Sequence, residues 1–276
     1  MRLPAVIELR LRPTSSGPRG FEPTTRQLHG LGCALFEGPG AVHADQEKAW
    51  TVWPLRPDGD GGWLLRGAWL RSGFPQNVLA GCGSVRLGPV DFAVTDVAFR
   101  PVPHEELADV PAVDGARVTL LSPAYFSQNG VHVAEPDVRL IAGSWRRRWN
   151  ASLPAGSFLA VEAPLWRDIH LALHVTGSGL QTAVRDTGYK AAGGAYRQQA
   201  GLVGTMTLRL ESCVPGEVRR AFGMLARFAE YCGTGAQVTH GSGATRVTLL
   251  QSSWSSADEP GMARSWGELR SWWFAA

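Results

Sequence analysis

Two histidines near the start of the chain, His29 and His43, and a lysine shortly after the second, Lys48, are residue types that move protons and offset anionic charge at neutral pH. An imidazole with an ordinary pKa of about 6.5 serves as either acid or base there. An ammonium group placed where negative charge accumulates lowers a barrier most in a water-poor site. Taken singly, His43 reads as an exposed loop histidine without a role and His29 as a half-buried helix histidine, so each gains weight only from the residues around it. His170 and His174 lie four apart in a segment read as a strand, Ile169 to Val175, where both point to one face. No third ligand accompanies them, so no metal and no cofactor are expected.

A second stretch is distinguished by its glycines. Gly233, Gly235, Gly241 and Gly243 fall within eleven residues directly after an amphipathic segment, with Gln237, Thr239 and His240 between them. Such a loop lets the backbone approach a ligand closely and turn its N–H groups toward phosphates. A dinucleotide-binding fingerprint needs its glycines after a strand and before a helix, the reverse of this order. The plain structural alternative is a helix C-cap at Gly233 that runs into a glycine-rich hairpin.

The elements that must position these residues follow from periodicity. Pro4 to Arg12 alternates apolar and charged residues as a half-buried strand does. Thr24 or Thr25 caps a helix with Leu28, Leu31 and Leu35 on one face, ending at Gly38-Pro39-Gly40. Strands are expected at Trp50–Leu55, Trp63–Leu70 and Asp91–Phe99, with a short helix at Pro75–Ala80. After a bridge rich in Pro, Glu and Asp come a strand at Val118–Leu121 and a helix from about Pro136 to Asn150. Further strands follow near Ile169–Val175 and at Gly201–Leu210, then a helix at Glu217–Tyr231 and a strand at Val238–Val247.

The order in each half is that of a ferredoxin-like unit, so the expected class is α+β with two tandem ferredoxin-like (RRM-like) domains. The expected boundaries are residues 1–100, a linker at 101–115, a second domain at 116–251 and a tail at 252–276 holding Trp254, Trp266, Trp272 and Trp273. Two sheets side by side would leave a groove between them.

Composition sets the surroundings. The chain has 276 residues, 44% hydrophobic and 18% charged, which is enough apolar material for a folded core. No run approaches the roughly 20 apolar residues of a membrane span, and the start of the chain lacks a signal-peptide apolar region. The four cysteines (Cys33, Cys82, Cys213 and Cys232) are scattered, which fits a reducing cytoplasm. The net charge is only +3, and of 27 basic residues just Lys48 and Lys190 are lysines. Two basic clusters remain. Trp145-Arg146-Arg147-Arg148-Trp149 sets both tryptophans inward at i, i+4 and turns arginines out. Lys190 and Arg197 lie in a segment expected to be flexible, Thr187 to Gln199, from which they could clamp phosphates.

The glycine-rich stretch from Phe228-Ala229 through Gly233-Thr234-Gly235-Ala236, Thr239, Gly241-Ser242-Gly243 and Val247 resembles the C-terminal loop of RAMP-superfamily proteins, the repeat-associated RNA-binding proteins of CRISPR systems. Gly201-Leu202-Val203-Gly204 and Leu121-Ser122-Pro123-Ala124-Tyr125-Phe126 are similar to two further blocks of the CRISPR pre-crRNA-processing endoribonucleases. His43 to Leu55 resembles the block in which that family carries its loop histidine, with Trp53 where a serine is usual.

The resemblance implies a metal-independent endoribonuclease. In that chemistry a 2′-hydroxyl attacks the adjacent phosphorus, leaving a 5′-hydroxyl and a 2′,3′-cyclic phosphate. It implies His43 as general acid or base, Lys48 as electrostatic stabiliser and His29 as second proton-transfer or positioning group. The RNA, a CRISPR repeat stem-loop, would be held by Arg146, Arg147, Lys190, Arg197 and the loop residues Gly233, Gly235, Gln237, Thr239, His240, Gly241 and Gly243. Two rivals stay open: a non-cutting repeat-binding subunit among other CRISPR effector subunits, and an unrelated α+β protein that binds a small ligand.

Overall fold

Strand β1, Ala5–Pro13, buries Ile7, Leu9 and Leu11 and turns Arg10 and Arg12 to solvent, as its alternation requires. The computed structural model describes residues 4–14, 21–37, 48–71, 73, 82–128, 131–190 and 194–251. After β1 come α1 (Thr25–Phe36), β2 (Trp50–Val52), the two-residue β3 (Arg56–Pro57), β4 (Trp63–Trp69), β5 (Ser84–Leu87) and β6 (Val90–Pro101). A short helix α2 (His104–Ala108) leads to β7 (Val113–Ala124) and the small hairpin β8 (Phe126–Gln128) and β9 (Val131–Val133). Helices α3 (Val138–Ser152) and α4 (Ala163–Ala172) precede the long strands β10 (Leu173–Lys190) and β11 (Tyr196–Leu210). Helix α5 (Gly216–Cys232), a 3-10 turn (Val238–His240) and β12 (Thr245–Gln251) complete the described chain.

The first sheet runs β2-β4-β1-β6-β5 and the second β10-β11-β7-β12, with every pairing antiparallel. Taking β1, β2, β4 and β6 as the first set and β7, β10, β11 and β12 as the second, both read fourth, first, third, second across the sheet. That is the order two β-strand–helix–β-strand crossovers produce when they interlock, so the chain is α+β with two ferredoxin-like units, as expected. Strand β5 is an added hairpin on the edge of the first sheet.

Each sheet has its own apolar core. Leu9, Leu28, Leu35, Trp50 and Phe92 belong to the first, and Val118, Trp145, Trp149, Phe222 and Phe228 to the second. Helix α1 begins in a reciprocal cap: Thr24 Oγ1 accepts from Gln27 N at 3.3 Å, and Gln27 Oε1 accepts from Thr24 N at 2.9 Å. Gly32 costs that helix propensity, yet a Cβ there would collide with the ring of Trp50, so the glycine permits the close packing of α1 on β2. In α5, Val218, Phe222, Leu225, Phe228 and Ala229 form the expected buried stripe.

Several expectations need correction. The segment read as a strand at Ile169–Val175 is the end of helix α4 followed by the start of β10. Pro164 at the head of α4 and the spacing of Trp166, Ile169 and Ala172 favour a helix, and the short window over Ile169–Val175 hid that period. His170 therefore sits in the last helical turn and His174 on the strand, not side by side on one strand face. The strand expected at Val238–Val247 starts only at Thr245, because Gly241 and Gly243 adopt positive φ. The bridge 101–115 contains α2 and the first residues of β7. Thr187 to Gln199 is, in its described part, the end of a paired ribbon with Lys190 opposite Tyr196. The hairpins of β5 and of β8–β9 were not anticipated. The helix expected at Pro75–Ala80 and the tryptophan-rich tail lie outside the described residues.

Candidate functional site

His29, Cys33 and Glu37 recur every four residues, which lines them along one face of α1 and its C-cap. They form a connected row. Glu37 Oε1 lies 2.8 Å from Lys48 Nζ, with the two side chains only 9% and 12% exposed. The Cys33 thiol is pushed up to about 11, first by burial and then by the neighbouring Glu37 carboxylate, so it remains a protonated donor at neutral pH. Its Sγ stands 3.5 Å from His29 Nε2. His29 Nδ1 lies 3.3 Å from the Thr239 carbonyl oxygen, which can only accept, so in this contact Nδ1 carries the proton. Nε2, beside Cys33 Sγ, is then the unprotonated nitrogen.

The second unit supplies the other wall. His29 is stacked on His240 with ring centroids 3.9 Å apart and planes 3° from parallel, and Trp50 stacks near its ring at 5.6 Å. Thr239 Oγ1 is within 3.1 Å of His240 Nδ1. Burial first, and then the adjacent His29, push His240 down to about 4, so it is a neutral imidazole at pH 7. The 3-10 turn thus docks on α1 and β2, and polar ties fix it there. Arg185 donates to Gly241 O at 3.2 Å and to Pro23 O at 3.3 Å, Thr25 Oγ1 donates to Thr187 O at 3.0 Å, and Thr51 Oγ1 donates to Tyr231 O at 2.8 Å.

The glycine-rich loop is organised differently from the expectation. Its amides are largely satisfied within the chain: Thr234 N donates to Gly243 O, Gly235 N to Ser144 Oγ, Ala236 N to Tyr125 O and Gly243 N to Pro123 O. A Cβ at Gly243 would collide with the Thr234 carbonyl, so the glycine there serves a tight backbone crossing. The loop therefore faces outward with side chains instead of those amides. Gln237 is exposed and holds φ 51°, the left-handed region, while Thr239 and His240 are half-buried beside α1. Gly233, Gly235, Gly241 and Gly243 are all buried.

Of the other residues singled out in the sequence, Trp145 and Trp149 point inward as expected, and Trp145 Nε1 donates to Thr234 Oγ1 at 2.9 Å. Only Arg147 of the three central arginines is exposed. Arg146 is half-buried, donating to Val161 O at 2.8 Å and lying over Trp166, and Arg148 donates to Gly235 O. Lys190 and Arg197 are exposed at the end of the β10–β11 ribbon, where Thr187 O accepts from Thr25 Oγ1 of α1 and Thr187 Oγ1 donates to Arg197 O. His43 lies outside the described residues. Cys33, Glu37 and Arg185 were missed by sequence reasoning. The four-residue spacing of His29, Cys33 and Glu37 was the available signal for the first two, and nothing local marked Arg185. Among the described residues no three His, Cys, Asp or Glu side chains converge as metal ligands, and no helix is long and apolar enough to cross a membrane.

The sequence model of a family described as CRISPR-associated endoribonuclease Cas6 matches residues 118–245. No curated protein matches the chain significantly. Among solved structures, the chain is similar to a Cas6 (TTHB231) product complex, with 27% identity and a TM-score of 0.72 over 89% of this chain and 99% of that one. The structure named Thermus thermophilus Cas6 (TTHB231) aligns over 90% of this chain and 99% of its own, with 25% identity and a TM-score of 0.68. A Cas6 (TTHA0078) product complex, at 23% identity, a TM-score of 0.71, and coverage of 90% and 100%, shares the fold. With the family match spanning the glycine-rich half and a 27% identical structure aligned along nearly its whole length, the chain is similar to CRISPR-associated endoribonucleases of the Cas6 family.

Proposed function

We propose that the protein binds the stem-loop of a CRISPR repeat and cuts precursor crRNA without a metal, leaving 5′-hydroxyl and 2′,3′-cyclic phosphate ends. In this reading His43 is the general acid or base, Lys48 offsets charge on the phosphorane, and His29 is the second proton-transfer or positioning group. Arg146, Arg147, Lys190, Arg197 and the loop from Gly233 to Gly243 hold the RNA. The observation that carries the proposal is the row Lys48–Glu37–Cys33–His29, which ends against His240 at the seam of the two units. It puts an ammonium group and a tautomer-fixed imidazole on one helix face, close to the glycine-rich loop. The relative solved as a product complex supports an RNA-cleaving role at this fold. Cytoplasmic action on RNA is part of the same proposal.

The chemistry follows from that arrangement. The Thr239 carbonyl holds the His29 proton on Nδ1, which leaves Nε2 to exchange a proton with substrate once it turns from the Cys33 thiol. Glu37 holds the Lys48 ammonium in place, so its charge is preorganised rather than gathered during the reaction.

One observation favours a second reading, a repeat-binding subunit that does not cut. Both described members of the catalytic set already have partners within the chain, Lys48 with Glu37 and His29 with Cys33 and Thr239. Assay of a panel of CRISPR repeat RNAs with native protein, His43→Ala and His29→Ala separates the two. The proposal expects a single cut that His43→Ala reduces by about a hundredfold or more while binding persists. Tight binding with no cut by the native protein would establish the second reading.

A further inference from the structure

Beside Gly235 and Ala236 of the glycine-rich loop, helices α3 and α4 and strand β8 line a half-open cavity of about 380 Å3. This volume lies in the range of small-ligand pockets and is too small for a paired stem. Arg139, Gly143 and Arg147 recur every four residues along α3, so one face of the helix presents two guanidinium groups with a gap between them. Both arginines are exposed, and neither guanidinium has an ion pair or hydrogen bond among the described residues. Opposite them, Trp166 and His170 on α4 form an aromatic wall with ring centroids 5.7 Å apart. Gly235 and Ala236 contribute backbone to the lining.

Unpartnered guanidinium groups beside an aromatic wall match the two halves of a nucleotide, a phosphate and a flat base. We infer that this cavity receives one unpaired nucleotide of the repeat RNA, its phosphate between Arg139 and Arg147 and its base against Trp166 and His170. The inference rests on the repeat-binding reading above and adds a sequence-reading subsite to it, since bases are read where they are unpaired and splayed out. The Gly235 amide is held by Ser144 Oγ on α3, so the subsite and the loop beside the candidate catalytic residues share one rigid support.

The test is an affinity scan using a repeat RNA that the protein cuts, with an abasic nucleotide placed in turn at every unpaired position. It compares the native protein with Gly143→Leu and Arg147→Glu. A Cβ at Gly143 would stand 3.5 Å from the Trp166 ring, an ordinary contact, so Gly143→Leu fills the cavity without forcing the backbone. Arg147→Glu is a surface change that gives the answer if the first variant folds poorly. One abasic position is expected to weaken native binding by about tenfold. Each variant should show a similar loss on the unmodified repeat and little further loss at that position, the signature of a shared contact. A flat scan, or an undiminished abasic effect in both variants, would overturn the subsite while leaving repeat cleavage standing. Failure of the native protein to bind any repeat would remove the broader reading and this one with it.

Discussion

Lys48 and Glu37 form a nearly buried ion pair, and the two halves of such a pair are not equivalent to lose. Removing Lys48 alone takes the countercharge from a carboxylate held out of water, which costs about 3–5 kcal/mol, whereas replacing both partners by neutral groups of similar shape costs little. Denaturant unfolding should therefore show Lys48→Ala strongly destabilised and the Lys48→Met/Glu37→Gln double variant close to native. If Lys48 offsets charge in the reaction, the stable double variant still cuts poorly. Native cleavage by that variant would show that the lysine is structural only. Gln237 raises a separate question at the same scale. A non-glycine residue in the left-handed region stores about 1 kcal/mol of strain, and such strain on an exposed loop tip is characteristic of a working side chain. Gln237→Gly should raise stability by about that amount and weaken repeat binding. Unchanged affinity would assign the strain to loop geometry alone.

The element that joins the units is the 3-10 turn seated on α1, and its stacked imidazoles give it a pH dependence. His240 titrates at about 4 in the folded chain and at about 6.5 when unfolded, so the unfolded chain binds more protons between those values. The stability this group lends is thus present above about pH 6.5 and lost as pH falls toward 4. His240→Gln should flatten the melting temperature across that window, and an unchanged slope would place the acid sensitivity elsewhere. Much of the hardware around this turn was legible in the sequence. Thr24 and the leucines of α1 announced that helix, the stripe from Val218 to Ala229 announced α5, and alternation announced β1. Helix α4 was misread because its few apolar positions fit either period over a short window. The loop amides were misjudged because their acceptors, Ser144, Tyr125 and Pro123, lie about a hundred residues away, beyond any local pattern. Glu37 and Cys33 were readable by spacing, but their meaning depended on Lys48 returning to the same face.

Across the whole molecule, two units of the same strand order meet where α1 and β2 of one touch the turn and ribbon of the other. The net charge of +3 is too small to hold RNA by itself, so affinity must come from where the cations stand. Arg147, Lys190 and Arg197 are all exposed on the second unit. Each phosphate contact adds about 0.7–0.9 to the slope of log affinity against log salt, and Arg147→Ala and Arg197→Ala should each lower that slope by about that amount. A slope equal to the native one would take the residue off the RNA path. The account as a whole turns on the reaction itself. The most direct test incubates labelled repeat RNA with the native protein in EDTA and determines the chemistry of the new ends. The account predicts one cut with a 5′-hydroxyl and a 2′,3′-cyclic phosphate. Cleavage that appears only when a divalent cation is restored, or that leaves a 5′-phosphate, would contradict it.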